Sequence, residues 1–248
     1  MKIIPLSEGA FTIDKTKQFI PFDKEKDDFQ QRAVGSLLVE IQPFCIVTLN
    51  DIIVIDTGLG FRNNEGVLQI HQNLLNNGID PFSITKVLIS HLHKDHSGGI
   101  CTEDKGLRQS LFNFPHAQYY VNKEELKDTL QNANPSFSST DFDLLANSDQ
   151  VIITSENGII DDFIAYEVVG GHTPHHQVFW IEEAGQKIFF GGDVAPQIQQ
   201  MKSRVIAKYD FDGKKCMELR QQWWQQGQQE NWTFLFYHDI KTPIFSFK

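Results

Sequence analysis

The segment ITKVLISHLHKDHSGG, residues 84 to 99, constrains this chain more than any other. Its first seven residues form a β-branched apolar run that reads as a strand. The strand runs straight into His91, His93, Asp95 and His96. In extended backbone, residues two apart point the same way, so His91 and His93 can reach one point together. Asp95 and His96 follow once the chain has turned, and can reach a second point. Neutral imidazole and carboxylate oxygen suit zinc and related divalent ions. Four groups do not close two such sites, so further ligands must come from downstream.

Three downstream segments supply the right residue types. VVGGHTPHH offers His172 after two glycines, which let the backbone turn sharply at a strand end. FFGGDVAP repeats the device with Asp193, and FLFYHDI places His238 at the end of an apolar run. A polar ligand type just past each strand mounts a rigid site at one edge of a sheet.

The remaining sequence describes the scaffold. GSLLVEI and FCIVTL read as strands, and Asn50 and Asp51 make a turn into IIVIDTG. Residues 67 to 78 carry apolar groups at helical spacing, with Gly78 as C-cap. KEELKDTL reads as a charged amphipathic helix. DFIAYEVVGGH, HQVFWIEE, KIFFGGD and WTFLFYHD are strands. GKKCMELRQQWWQQGQQ is a helix with Met217, Trp223 and Trp224 near its apolar side and glutamines in water. Strands come in runs without regular βαβ alternation. The expected class is α+β, with two mixed β-sheets packed face to face and helices outside. The 248 residues, 40% of them hydrophobic, are expected to form one domain spanning 1–248.

Composition excludes several functions. A net charge of -10 argues against a nucleic-acid surface. No apolar run approaches the roughly 18 residues of a membrane span, and no signal peptide is visible. Cys45, Cys101 and Cys216 are far apart and read as reduced thiols, which implies the cytoplasm. Ser97 is expected to cap a helix. Phe22, Phe29 and Phe137 fall in segments that read as loops. They either line an apolar pocket or anchor those loops on the core, and the anchoring role is the expectation.

The order HxHxDH, GHTP, GD and YHD resembles the metallo-β-lactamase-fold hydrolases, from about IIVIDTG to FYHDI. The resemblance implies a four-layer αβ/βα sandwich with metals at one edge. It implies that His91, His93 and His172 hold one zinc, and that Asp95, His96 and His238 hold the other. Asp193 then bridges both, making Asp95 and Asp193 the carboxylates of the catalytic centre. Asp56, at the end of IIVID, would orient a ligand imidazole. Two Zn²⁺ ions are expected, with iron or manganese as substitutes. The implied activity is hydrolysis of an ester or lactone bond of a small molecule by a metal-bridged hydroxide.

Particular residues narrow the subtype. The exported β-lactamases of this fold lack the bridging aspartate, so Asp193 argues against antibiotic hydrolysis. The diiron relatives carry glutamate where this chain has His93. GHTPHHQ and YHDI look most like the lactonase and esterase branch, which includes the acyl-homoserine lactonases. That branch often has glycine where His175 stands, and its lactonases carry a tyrosine soon after the bridging aspartate. Here the next tyrosine is Tyr209, sixteen positions on. Phosphodiester or thioester hydrolysis and a non-catalytic metal-binding role are the alternatives.

Overall fold

Side-chain alternation along the strands sets the architecture. In the segment Phe44–Val47, Phe44 and Ile46 face one core while Cys45 faces another. Ile53 and Ile55 repeat this against Val54, as does Tyr120 against Tyr119 and Val121. A strand buried on both faces needs cover on both sides. The computed structural model, which describes residues 1–104, 109–132, 135–137 and 142–247, supplies that cover.

One six-stranded sheet has the order Lys2–Pro5, Phe44–Val47, Ile52–Ile55, Lys86–Leu88, Gln118–Asn122, Val151–Thr154. Its first three strands pair antiparallel and the rest parallel. The second has the order Asn157–Ile160, Ile164–Val168, Gln177–Glu183, Gln186–Phe190, Thr233–Leu235, Ile244–Ser246. It is antiparallel except where Gln186–Phe190 meets Thr233–Leu235. Phe44, Ile53 and Leu88 of the first sheet share a buried core with Phe179, Ile181 and Phe190 of the second. On its outer face the first sheet packs Val54 and Val87 with Ile70 and Leu74 of helix Gln69–Asn76, and with Leu126 of helix Lys123–Gln131. Helix Gly213–Glu230 covers the outer face of the second sheet with Cys216 and Trp223, against Val178, Phe189 and Phe234. This is the four-layer αβ/βα sandwich. Each outer helix turns its apolar stripe inward, and Gln222, Gln225 and Gln228 stay exposed.

The topology also sets the position of the site. Ile52–Ile55 and Lys86–Leu88 run parallel, so Asp56 and the His91 segment leave the first sheet on one rim. Gln186–Phe190 and Thr233–Leu235 run parallel in the second sheet, so Asp193 and His238 also leave together. Carboxyl ends of parallel strands are the usual place for a site in such sheets. The rim is tightly packed. A Cβ on Gly99 would lie 2.1 Å from the Thr57 carbonyl oxygen, so only glycine lets the two loops meet there.

The N-terminal region departs from the sequence reading. Leu37–Ile41 joins Gly9–Ile13 and Phe19–Phe22 in a separate three-stranded sheet. Phe22 therefore ends a strand rather than lying in a loop, and Phe29 opens a short 3-10 turn. Leu37–Ile41 falls in the GSLLVEI segment read as a strand, whereas Gly9–Ile13 and Phe19–Phe22 are short, carry a glycine and a proline, and form by pairing. Cys45, Cys101 and Cys216 are buried. Among the described residues, no helix is long and apolar enough to cross a membrane.

Candidate metal centre

All seven ligand candidates meet at this rim. Ligand atoms of His91, His93, His172 and Asp193 lie within 4.8 Å of one another, as do those of Asp95, His96 and His238. His91 Nε2 and His172 Nε2 each lie 3.0 Å from His93 Nδ1. Asp193 stands between the two groups. Its Oδ2 is 3.2 Å from His172 Nε2, while its Oδ1 is 3.1 Å from His96 Nε2 and 3.0 Å from His238 Nε2. Asp95 Oδ2 lies 3.8 Å from His96 Nε2 and 3.6 Å from His238 Nε2. His96 Nε2 and Asp193 Oδ1 are buried without a hydrogen bond of good geometry, despite their proximity. Buried polar atoms are rarely left so, and converging lone pairs of this kind suit a shared cation. The donor set of imidazoles and carboxylates therefore fits divalent metal.

Four of the five imidazoles are fixed by their other nitrogen. His91 Nδ1 pairs with Ser90 Oγ at 3.0 Å, and Ser90 Oγ donates to Asp56 Oδ2 at 2.7 Å. His96 Nδ1 lies 2.7 Å from the same Asp56 oxygen, and His172 Nδ1 lies 2.9 Å from Asp210 Oδ1. His238 Nδ1 donates to the Glu40 carbonyl at 2.7 Å. Such partners set ring orientation in metal sites. Asp56 adopts a left-handed φ of 55°, which aspartate tolerates better than most residues. Its second oxygen accepts from Ser90 N at 2.7 Å.

Burial and neighbouring charge set the protonation states. Burial and neighbouring histidines hold His91 and His93 well below the ordinary imidazole range, in the neutral form that binds metal. Burial pulls His96 the same way, but the carboxylates of Asp193, Asp95 and Asp56 outweigh it and hold the ring well above that range. His238 is raised against its burial by Asp193. Asp193 would rise on burial, but His238, His96 and His172 hold it well below the usual carboxylate range.

Several supports were not assigned a role from the sequence. Asp210 lies in an irregular segment 38 residues from its partner His172. Tyr237 stacks on His96 at 4.0 Å and donates to the Asp95 carbonyl at 2.5 Å. His176, fully buried, accepts from Asp193 N at 3.2 Å. Glu125, part of the charged helix, is buried and accepts from Leu92 N at 3.1 Å and from Thr173 Oγ1 at 2.8 Å, joining two ligand loops. Gly170 and Gly171 take φ values of 62° and 93°, the sharp turn expected before His172. Ser97 does not cap the helix start. It closes the short helix Lys94–Ser97, donating to the Leu92 and His93 carbonyls at 3.1 and 3.0 Å. His175 stands aside, 3.2 Å from Asp128, and its backbone is not left-handed.

A cleft of about 500 Å³ opens over the centre and includes His93, Asp95, His172, Asp193 and His238 in its lining. Ile13, Phe19, Leu37, Leu38 and Val39 of the three-stranded sheet give it an apolar wall. Phe22, Phe29 and Phe137 are not in that lining. Phe22 packs on Phe29 at 5.1 Å, and Phe137 packs on His93 at 5.3 Å. Tyr209 does line the cleft, with its ring 6.1 Å from that of His172.

A family model described as the metallo-beta-lactamase superfamily matches residues 44–221. The chain belongs to that superfamily. Solved metallo-beta-lactamase folds superpose on it at low identity. A probable metal-dependent hydrolase from Staphylococcus aureus matches with a TM-score of 0.77 and 21% identity, over 99% of this chain and 91% of that one. The hydrolase AbOPH of the beta lactamase superfamily gives 0.74 and 20%, over 98% and 89%. The dizinc quorum-quenching lactonase AidC, bound to its homoserine product, gives 0.68 and 20%, over 98% and 88%. A search of curated protein sequences returned no match.

Proposed function

We propose that this chain is a dinuclear zinc-dependent hydrolase that cleaves an ester or lactone bond of a small molecule. The chain belongs to the metallo-beta-lactamase superfamily, and its clustered imidazoles and carboxylates fit divalent metal. The finer reading rests chiefly on Asp193, whose two carboxylate oxygens face the two ligand groups separately. His91, His93 and His172 would hold one ion, and Asp95, His96 and His238 the other. Two bound ions would polarise a substrate carbonyl and lower the pKa of water toward 7. Asp193 would neutralise repulsion between the cations and fix their spacing. Asp56 and Asp210 would hold His96 and His172 as ligands, with their Nε2 atoms turned inward. The apolar wall of Ile13, Phe19 and Val39 would seat an acyl or alkyl portion and exclude water. The dizinc lactonase AidC among the structural relatives supports this reading.

The test is a panel of lactones, aryl esters, thioesters and phosphodiesters, run on protein loaded with two equivalents of zinc. Turnover of esters or lactones that is lost on chelation and restored by zinc is expected. Phosphodiester or thioester turnover alone would overturn the substrate assignment. One tightly held metal with no gain on added zinc would overturn the dinuclear assignment.

A further inference from the structure

The cleft has a charge opposite to that of the chain. The sequence carries 32 acidic against 22 basic residues. Apart from the metal ligands, the charged residues lining the cleft among the described residues are Lys15, Lys17, Lys94, Lys208 and Asp14. The single carboxylate is engaged locally. Asp14 Oδ1 accepts from Thr16 N at 2.8 Å and Thr16 Oγ1 at 2.6 Å. None of the four lysines belongs to an ion pair with a carboxylate among the described residues.

Lys94 is the anchored member of this set. It lies between the ligand candidates His93 and Asp95 in sequence. Its ammonium donates to the Lys17 carbonyl at 2.6 Å and lies 5.6 Å over the Phe19 ring. That uses one of its three N–H donors and leaves its charge without a counterion among the described residues. Lys17 is held in turn. Its φ is 59°, and its N–H donates to the Asp14 carbonyl at 3.1 Å, closing the turn that presents it. A concave, partly apolar site lined by one sign of charge focuses field on ligands of the opposite sign. The apolar wall on the same cleft confines where that charge can sit.

We propose that the cleft selects substrates carrying an anionic group, a carboxylate or a phosphate, apart from the bond to be cleaved. This deepens the hydrolase reading by naming the substrate class, and rests on it for the reaction. His93, Asp95, His172, Asp193 and His238, which line the same cleft, would hold the ions that polarise the scissile carbonyl. Lys94 and Lys17 meet the anion, and Ile13, Phe19 and Val39 cover the aliphatic stretch. Compact ammonium groups act as point charges toward either anion, so the charge is specified more strongly than the headgroup.

Calorimetric titration of zinc-loaded protein with hexanoate, adipate and 6-phosphonohexanoate tests this directly, because it needs no turnover. Adipate is expected to bind at least about fivefold tighter than hexanoate, the size of a good solvent-accessible ion pair. Tighter binding of the phosphonate than of adipate that disappears in Lys17→Gln/Lys94→Gln would assign the anion as phosphate, and a lysine-dependent preference in the reverse order as carboxylate. The preference should shrink to below about twofold at about 0.5 M NaCl through screening. It should shrink similarly in Lys17→Gln/Lys94→Gln and persist in Lys94→Arg. Equal binding of hexanoate and adipate, no binding of either, or a preference insensitive to both salt and the double variant overturns the proposal. The salt series on unaltered protein decides the matter if the double variant does not fold. Failure of the ester panel, extended to esters and lactones carrying a distal carboxylate or phosphate, with the adipate preference intact would sink the hydrolase reading alone.

Discussion

Asp210 Oδ1 lies 2.9 Å from His172 Nδ1, with both side chains almost fully buried. Asp56 holds His96 in the same way at 2.7 Å. Each carboxylate accepts from Nδ1 and so orients the ring with Nε2 toward the other candidate ligands. Asp210→Asn removes the negative charge while keeping the shape. Zinc affinity is expected to fall by about 10- to 100-fold. Competition with a chromophoric chelator measures it, and unaltered affinity would remove Asp210 from the site.

Asp193→Asn tests the bridge. The variant cannot offset the repulsion of two cations at short range. Metal content should fall from two per chain toward one, with loss of most hydrolytic rate. Elemental analysis after exhaustive dialysis reads the first outcome, and steady-state kinetics the second. Two retained metals with the original rate would show that the residue does not bridge.

His238→Ala tests the tail. The chain continues past His238 to Ile244–Ser246, which pairs with Thr233–Leu235, so the C-terminal region belongs to the sheet. His238 itself is buried between the Glu40 carbonyl and Asp193. The alanine variant should keep its fold by circular dichroism, hold about one metal, and lose nearly all activity. Unchanged metal content would end the assignment of His238.

Gly99→Ala tests the packing of the rim. The added methyl would lie 2.1 Å from the backbone oxygen of Thr57, which cannot move without shifting the neighbouring Asp56. Overpacking of this kind costs about 1–3 kcal/mol, and here the upper end is expected. Denaturant unfolding measures the loss, and a change below about 0.5 kcal/mol would contradict the close approach.

Glu8 gives a pH signature. Its Oε2 accepts from Leu59 N at 2.7 Å, yet burial pushes its carboxyl up from 4.5 to about 7. The folded protein therefore holds a proton between pH 4.5 and about 7 that the unfolded chain releases. Stability must fall as pH rises through that window, and the full cost is present above it. Glu8→Gln removes the titration. Its stability relative to the unaltered protein should improve from pH 4.5 to 7, by at most about 3 kcal/mol. A pH-independent difference between the two unfolding free energies would refute this.

The candidate ligands were legible because their chemistry is local. A strand ending in HLHKDH, or a GG turn before a histidine, shows ligand type and strand-end position within a few residues. The sandwich was legible for the same reason, since apolar strand runs without regular βαβ alternation and the apolar side of Gly213–Glu230 can be read within short segments. Only the tertiary structure decided which atoms face each other. The pairing of His172 with Asp210 spans 38 residues, and that of Tyr237 with the Asp95 carbonyl spans 142. The partner of His238 Nδ1 is a backbone carbonyl, which every residue possesses. Part of the cleft wall, Ile13 and Phe19, comes from strands Gly9–Ile13 and Phe19–Phe22, short segments that pair with each other and bring these side chains beside Leu37–Ile41. Sequence therefore determined which residues could bind metal, through periodicity and residue type. Contacts across long separations decided how each is held and what the cleft accepts, because a hydrogen bond depends on distance in space and leaves no spacing rule along the chain.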